Sequence, residues 1–484
     1  MGYNASMDDF IPFFTNDGSV GLFSQSDNDI YHSVYGALSE AYDKFVFPID
    51  LENYLKYKSD INVLDICYGI GYNSKTFIDN FIKLFLRKKK YIFTFHAENN
   101  DSIYTDNILN DKCIKAIGTN NIFNLFNQKT KNNVQKKSVN FEYLINNICK
   151  NDSKSYENEF YNNSEKNNAK NNTELNNFNN NKYRLNIDAV DIDSQLVLLS
   201  PFFKEKRFNF KKNKTGILKI DKYLNYAFGN QNRYRLLDES KYIILKYLID
   251  DFGEEKILDN YKKFVSNPVY EKFIDKNMAD FMKFCSRLGY KYFKKENKST
   301  FLHNIYYRYV SYRYKNHLNE LKNPDISLKF HINDARQFVL NTNKKYDFIF
   351  LDAFTPAKCP ALWTYDFFYN LYNILSDGGI ILTYTSSAAV RNAMIKNNFY
   401  IGNIFNQNEN KFTGTLAAKN KNAIVYPLSE YDKGLLETKA GIVYRDAAGD
   451  ASNSDIINLR IDEANKSNLQ SATQYIKRSK QSEI

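Results

Sequence analysis

Cysteine is scarce in this sequence, and what there is does not cluster. Five residues in 484 (Cys67, Cys113, Cys149, Cys285, Cys359) lie far apart with no Cys-x-x-Cys pair. An odd, scattered set makes neither a disulfide framework nor a zinc site and points to a reducing compartment. The five histidines (His32, His96, His303, His317, His331) have no metal-ligand spacing, so no metal is expected. Long apolar runs are missing as well: none reaches the ~18 residues of a membrane span. The start, MGYNASMDDFIPFF, lacks a basic segment followed by an apolar one. The expectation is a cytoplasmic protein, neither secreted nor membrane-inserted. No internal repeat is visible.

What is present suits a multidomain globular chain. Apolar residues make up 43% and charged residues 25%, enough to bury a core, and the length suggests about three units at ~150 residues each. The 66 basic and 55 acidic residues leave a net charge of +11. That balance leans toward polyanionic partners such as RNA, although soluble proteins without such partners share it.

Residues 1–60 read as a preamble of hairpin and helix: Asp17-Gly18 is a tight-turn pair, and a helical pattern from Ile30 is closed by Pro48. The segment from Asp60 to Lys90 reads as a buried strand, a glycine turn and a basic-ended helix. Between Asn151 and Lys182, thirteen of 32 residues are Asn; such a tract offers too little apolar surface to offset ordering and is expected to be a disordered insertion. Strand-led units return at "LNIDAVDID", "ISLKFHINDARQF", "KKYDFIFLDAFTP" and "GGIILTYTS", with mainly helical sequence from 205 to 320. Strands alternating with helices imply an α/β fold with a doubly wound, mainly parallel sheet. We expect its core in 61–97, 183–200 and 325–446, a low-complexity insertion in 98–182, a helical insertion in 201–324, and a tail from 447 to 484.

Asp65-Ile-Cys-Tyr-Gly69-Ile-Gly71-Tyr-Asn73 stands where the first buried strand ends. Glycines there let the backbone turn sharply beside a ligand, next to the free N–H groups of a helix start. The spacing DxxxGxG is not the GxGxxG of dinucleotide binders. It favours a nucleoside ligand without pyrophosphate, and S-adenosylmethionine fits. Such a site also needs an acid after the second strand to accept from ribose hydroxyls. Asp191 is the better placed; Glu98, in the strand-like Tyr91–Asn99, is the alternative, and an acid that only caps a helix is the plain reading of either. Asp334 offers a carboxylate for an adenine amino group, or again a helix cap. Asp352 ends an apolar strand, at the sheet edge where ligands sit, and can hold a cationic amine and take its proton. Phe354 could face a flat base, while Trp363 reads better as a packing anchor.

On these residues the chain resembles the methyltransferase half of MnmC, the enzyme that completes 5-methylaminomethyl uridine at the tRNA wobble position. The similar segments are "TNDGSVGLFSQ…YHSVYGALSEA", "VLDICYGIGYN", "LDAFTPAKCPALWTYDFF…LSDGGIILTYTSSAAVRNAMI", "LHNIYYRYVSYRYK" and "TKAGIVYRD". Most specific is the run Asp352, Ala353, Phe354, Pro356, Lys358, Pro360 and Trp363. The resemblance implies an S-adenosylmethionine-dependent methyltransferase fold, with Asp65, Gly69, Gly71 and Asn73 at the methionine and ribose side and Asp352 facing the amine. Phe354, Lys358, Arg308 and Arg313 would meet the tRNA anticodon stem-loop. No GxGxxG follows Arg391, so no flavin domain or FAD is expected and the form is a stand-alone methyltransferase. Cys67 stands where the family usually has Gly. The rival enzyme is an aminopropyltransferase of the spermidine synthase type, which shares a Tyr-His pair (Tyr31-His32) but needs more carboxylates than this loop supplies. A non-catalytic RNA-binding protein is the other alternative: "YYRYVSYRYK" interleaves tyrosines and cations as stacking and phosphate contacts would require, though taken alone the segment reads better as an amphipathic helix with tyrosines inward and cations in water.

Overall fold

The computed structural model describes residues 10–25, 29–30, 36–88, 93–96, 103–106, 183–206, 240–241, 243–275, 325–406 and 410–482. The chain divides into two units, residues 1–81, 183–210 and 233–484 in one and residues 82–182 and 211–232 in the other. Among the described residues no helix is long and apolar enough to cross a membrane.

In the first unit the Asp17-Gly18 turn joins β1 (Phe10–Phe14) to β2 (Val20–Ser24), which pairs with β3 (Asp29–Ile30). Asp17 accepts from the Ser19 and Ser39 amides, tying this hairpin to the helix Ala37–Ala41. That helix continues as a π-helical turn, Tyr42–Val46, and stops before Pro48, whose ring is incompatible with a longer helix.

Apolar runs supply the sheet: β4 (Asp60–Ile66), β7 (Arg184–Asp191), β8 (Asp325–Ile332), β9 (Tyr346–Leu351), β10 (Leu375–Thr383), β11 (Tyr400–Asn406) and β12 (Lys411–Ala418). Their order is β11-β12-β10-β9-β4-β7-β8. β12 runs antiparallel to both β10 and β11, and the other adjacent pairs of this sheet are parallel. Every residue of β9 is buried, as a central strand covered on both faces requires. From β4 the chain builds outward through β7 and β8, then returns to β4's other side with β9. The order therefore reverses between β4 and β9, and the crevice at their carboxyl ends is where an open sheet of this kind takes its ligand.

β7 pairs with β4 from Asp60↔Arg184 to Ile66↔Val190, so it is the second strand of the sheet. The segment around Tyr91–His96 forms β5 (Phe93–His96), which pairs with β6 (Ile103–Asp106) in a separate two-stranded sheet of the second unit. Glu98 and residues 107–182 lie outside the described residues. Residues after 446 fold as helices Asn453–Lys466 and Ala472–Ser482; Ile456 is buried in the main core, and Asn453 bonds the Lys358 carbonyl and the Ala361 amide.

Because β4 and β7 meet directly, replacing residues 151–182 with a short Gly/Ser linker should preserve folding and cofactor binding, since loop closure depends weakly on length. A shortened protein that no longer melts cooperatively would contradict this.

Candidate active site

Beyond Ile66 the chain turns over residues 67–71 into the helix Tyr72–Lys88. The Cys67 and Tyr68 amides both donate to the Val190 carbonyl (2.9 and 3.2 Å), laying the turn across the end of β7. Cys67, Gly69 and Gly71 all have positive φ (63°, 54° and 78°). Glycine takes that region without strain, whereas Cys67 does not. A Cβ on Gly71 would lie 2.3 Å from the Tyr68 ring, so this position admits only glycine.

Three carboxylates close on the turn. Asp65 is fully buried; one oxygen accepts from Ser74 Oγ at 2.6 Å, and Oδ1 has no hydrogen-bond partner. Burial, opposed by the Ser74 bond and reinforced by Asp352 and Asp191, pushes its carboxyl up to about 7. Asp191 accepts from the Gly69 amide at 2.7 Å and the Asp193 amide at 2.8 Å, so the glycine turn and the second-strand acid are joined directly. Burial raises its carboxyl to about 6 against those two bonds. Asp193 is the cap of the helix Ser194–Leu199.

Asp352, just past β9, hangs on the same scaffold: its amide donates to the Ile66 carbonyl at 3.3 Å, and its Oδ2 accepts from Asn73 Nδ2 at 2.9 Å. Burial, then the charge of Glu40, raises it to about 6, while the Asn73 bond and Lys44 pull it down. A carboxylate tuned there is ionised at neutral pH yet close to its proton-accepting range.

The loop beyond it is braced rather than free. Trp363 is fully buried and donates from Nε1 to the Phe354 carbonyl at 2.8 Å, the packing role expected of it. Tyr384 donates to the Ala353 carbonyl at 2.9 Å. Phe354 is partly buried and Lys358 exposed. Asp334 behaves as the plain reading had it: it caps the helix Ala335–Asn341 and is ion-paired with Arg336 at 2.7 Å. Arg336 also holds Asp446 of the "TKAGIVYRD" segment at 2.8 Å. Arg308, Arg313, Tyr31 and His32 lie outside the described residues.

Lys75 escaped the sequence reading. It is fully buried, and Nζ donates to the Ile70 carbonyl of the glycine turn and to the Ser200 carbonyl, both at 2.6 Å. Ser200 Oγ in turn meets Tyr68 Oη at 3.0 Å. A lysine among Tyr72, Ile78 and Phe81 on an inward helix face was the available signal. Burial, then the nearby Lys241, lowers Lys75 to about 7. Between that value and the ~10.4 of a free lysine the unfolded chain holds the extra proton, so stability rises with pH. Wild type should therefore gain stability over Lys75→Met between pH 7 and 9, measured by urea unfolding; parallel profiles would contradict this.

Residues 296–420 match the model of a family described as S-adenosyl-L-methionine-dependent methyltransferase. The chain is 31% identical over 143 residues to a Methanocaldococcus jannaschii protein designated MJ0670, covering 29% of this chain and 40% of that one. Two proteins named tRNA 5-methylaminomethyl-2-thiouridine biosynthesis bifunctional protein MnmC are also similar. The Burkholderia vietnamiensis protein is 30% identical over 83 residues (17% of this chain, 13% of that one). The Pseudomonas fluorescens protein is 38% identical over 71 residues (15% and 11%). This chain thus spans 40% or less of each of these relatives. A crystal structure of MnmC2 from Aquifex aeolicus aligns over 96% of this chain and 88% of that one, with 16% identity and a TM-score of 0.46. Residues 296–420 thus match the S-adenosyl-L-methionine-dependent methyltransferase family, and shorter stretches of the chain are similar to proteins named MnmC.

Proposed function

We propose that this methyltransferase acts on the aminomethyl group of the wobble uridine in tRNA, giving 5-methylaminomethyl-(2-thio)uridine. The observation that carries the reading is the meeting of two elements at the reversal point of the sheet. The DxxxGxG turn after β4 and Asp352 after β9 are joined by the 2.9 Å bond from Asn73.

The residues present suit S-adenosylmethionine. Asp65 keeps a buried oxygen without a partner, Gly69 and Gly71 leave the turn without side chains, and Asp191 stands at the end of the second strand for ribose hydroxyls. The cofactor supplies an electrophilic methyl group on a sulfonium. The chain's part is positioning and water exclusion, with Asp352 holding the substrate ammonium and taking its proton so that the amine lone pair is free. Asn73 fixes the orientation of that carboxylate.

On the RNA side, half-buried Phe354 and exposed Lys358 follow Asp352 in the loop, and Arg308 and Arg313 are assigned to phosphates of the anticodon stem-loop. Replacing both arginines with Gln should weaken tRNA binding and reduce its salt slope by about one unit per lost contact. Identical slopes would mean that RNA is held elsewhere. Mass spectrometry of tRNA nucleosides from cells lacking the gene tests the reaction: 5-aminomethyl uridine should accumulate, and an unchanged nucleoside profile would refute the assignment.

A further inference from the structure

The N-terminal helix is laid across the carboxyl edge of the sheet, with three consecutive residues set on three elements of that edge. Asp43 Oδ2 accepts from Asn406 Nδ2, at the end of β11, at 3.0 Å. Lys44 Nζ stands 5.5 Å from the centroid of the Tyr384 ring, just past β10. Phe45 packs edge-on against Phe350 of β9 with centroids 5.7 Å apart, two residues before Asp352. The backbone achieves this through the π-helical turn Tyr42–Val46, an irregularity that recurs at functional sites because it re-aims side chains.

One turn earlier, Glu40 is ion-paired with Lys44, their side chains only 20% and 15% exposed. Tyr384 is bonded to the Ala353 carbonyl, next to Asp352. An ammonium lying between a carboxylate and an aromatic face, its charge acting on Asp352, occupies a position chemically suited to any alkylammonium.

We propose that Glu40 and Lys44 belong to the amine pocket: Glu40 is a second carboxylate that orients the substrate ammonium, and Lys44 is the resident cation that balances it. This rests on the amine-methyltransferase reading above. With Asp352 ionised, Glu40, Lys44 and Asp352 sum to a single negative charge, which matches one ammonium. No bond is made or broken at Glu40 or Lys44; the substrate proton goes to Asp352. Both are positioning residues, acting through the charge they place around that carboxylate. Among the described residues the other ionisable groups that act on Asp352 are Asp65 from β4 and Cys67 from the glycine turn, with Asn73 as its hydrogen-bond donor.

The two residues carry opposite charge, so their removal must act in opposite directions. The test is kcat/KM against pH for methyl transfer to tRNA bearing 5-aminomethyl uridine. Glu40→Gln should move the acid limb down by roughly half a pH unit, and Lys44→Met should move it up by a similar amount. Glu40→Gln should also raise KM about three- to fivefold with kcat nearly preserved. Lys44→Arg should keep the wild-type limb. If Glu40→Gln does not fold, the Lys44→Met and Lys44→Arg pair still decides. Limbs that stay put, or that move the same way in both variants, would overturn the proposal. Wild-type enzyme that fails to methylate this tRNA at any pH would instead remove the reading beneath it, and the pocket with it.

Discussion

Asp352→Asn should lower kcat by about 10²-fold or more, the usual contribution of a positioned base, while binding of S-adenosylmethionine changes little. Asparagine keeps the shape and can still accept from Asn73 Nδ2, so the loop should hold. What is lost is the charge that holds an ammonium and the capacity to take its proton. The sign of the pH effect follows from the raised carboxyl: in wild type kcat/KM should fall as pH drops through about 6, where Asp352 becomes protonated. That acid limb should vanish in the variant. Near-normal turnover at neutral pH would exclude the role. A defect confined to cofactor affinity would move Asp352 into the cofactor site.

Gly71→Val should abolish cofactor binding measured by calorimetry. Valine would be forced to φ 78° with its Cβ against the Tyr68 ring, and a β-branched residue there carries a cost of roughly 1–3 kcal/mol. Tyr68 is not free to yield, because its hydroxyl meets Ser200 Oγ and its ring packs on Phe330. The turn must therefore move, and it carries the Gly69 amide away from Asp191 as it does. Gly69→Val should act likewise through its positive φ alone. Thermal melting should remain cooperative in both, since the sheet and its core are untouched. Unaltered affinity would mean that the turn is not the cofactor loop.

Much of this arrangement was legible in the sequence because buried parallel strands are written as short apolar runs. β4, β7 and β9 read that way, and each ends on an acid or at the edge of the glycine turn. The choice between Asp191 and Glu98 was not local. Tyr91–His96 is as strand-like as Leu185–Val190, and only the pairing of β7 with β4 separates them. The same holds for Asp334, where ligand contact and helix capping use the same residue type at the same spot. Glu40 and Lys44 were visible as members of a helix, but their place beside Asp352 depends on where that helix lies across the sheet. Lys75 belongs to the same class: its partners are backbone carbonyls at Ile70 and Ser200, and carbonyls leave no trace in side-chain pattern. The C-terminal helices escaped notice because they are polar along most of their length and hold to the core through Ile456.

Methyl transfer to an amine on tRNA can be followed in a single incubation. Purified protein, S-adenosylmethionine labelled in the methyl group, and tRNA carrying 5-aminomethyl uridine are combined, and the tRNA nucleosides are then analysed by mass spectrometry. Label appearing in 5-methylaminomethyl uridine, and absent when Asp352→Asn replaces wild type, is the predicted result. Unlabelled tRNA, together with transfer of an aminopropyl group to a diamine when the decarboxylated cofactor is supplied, would contradict it.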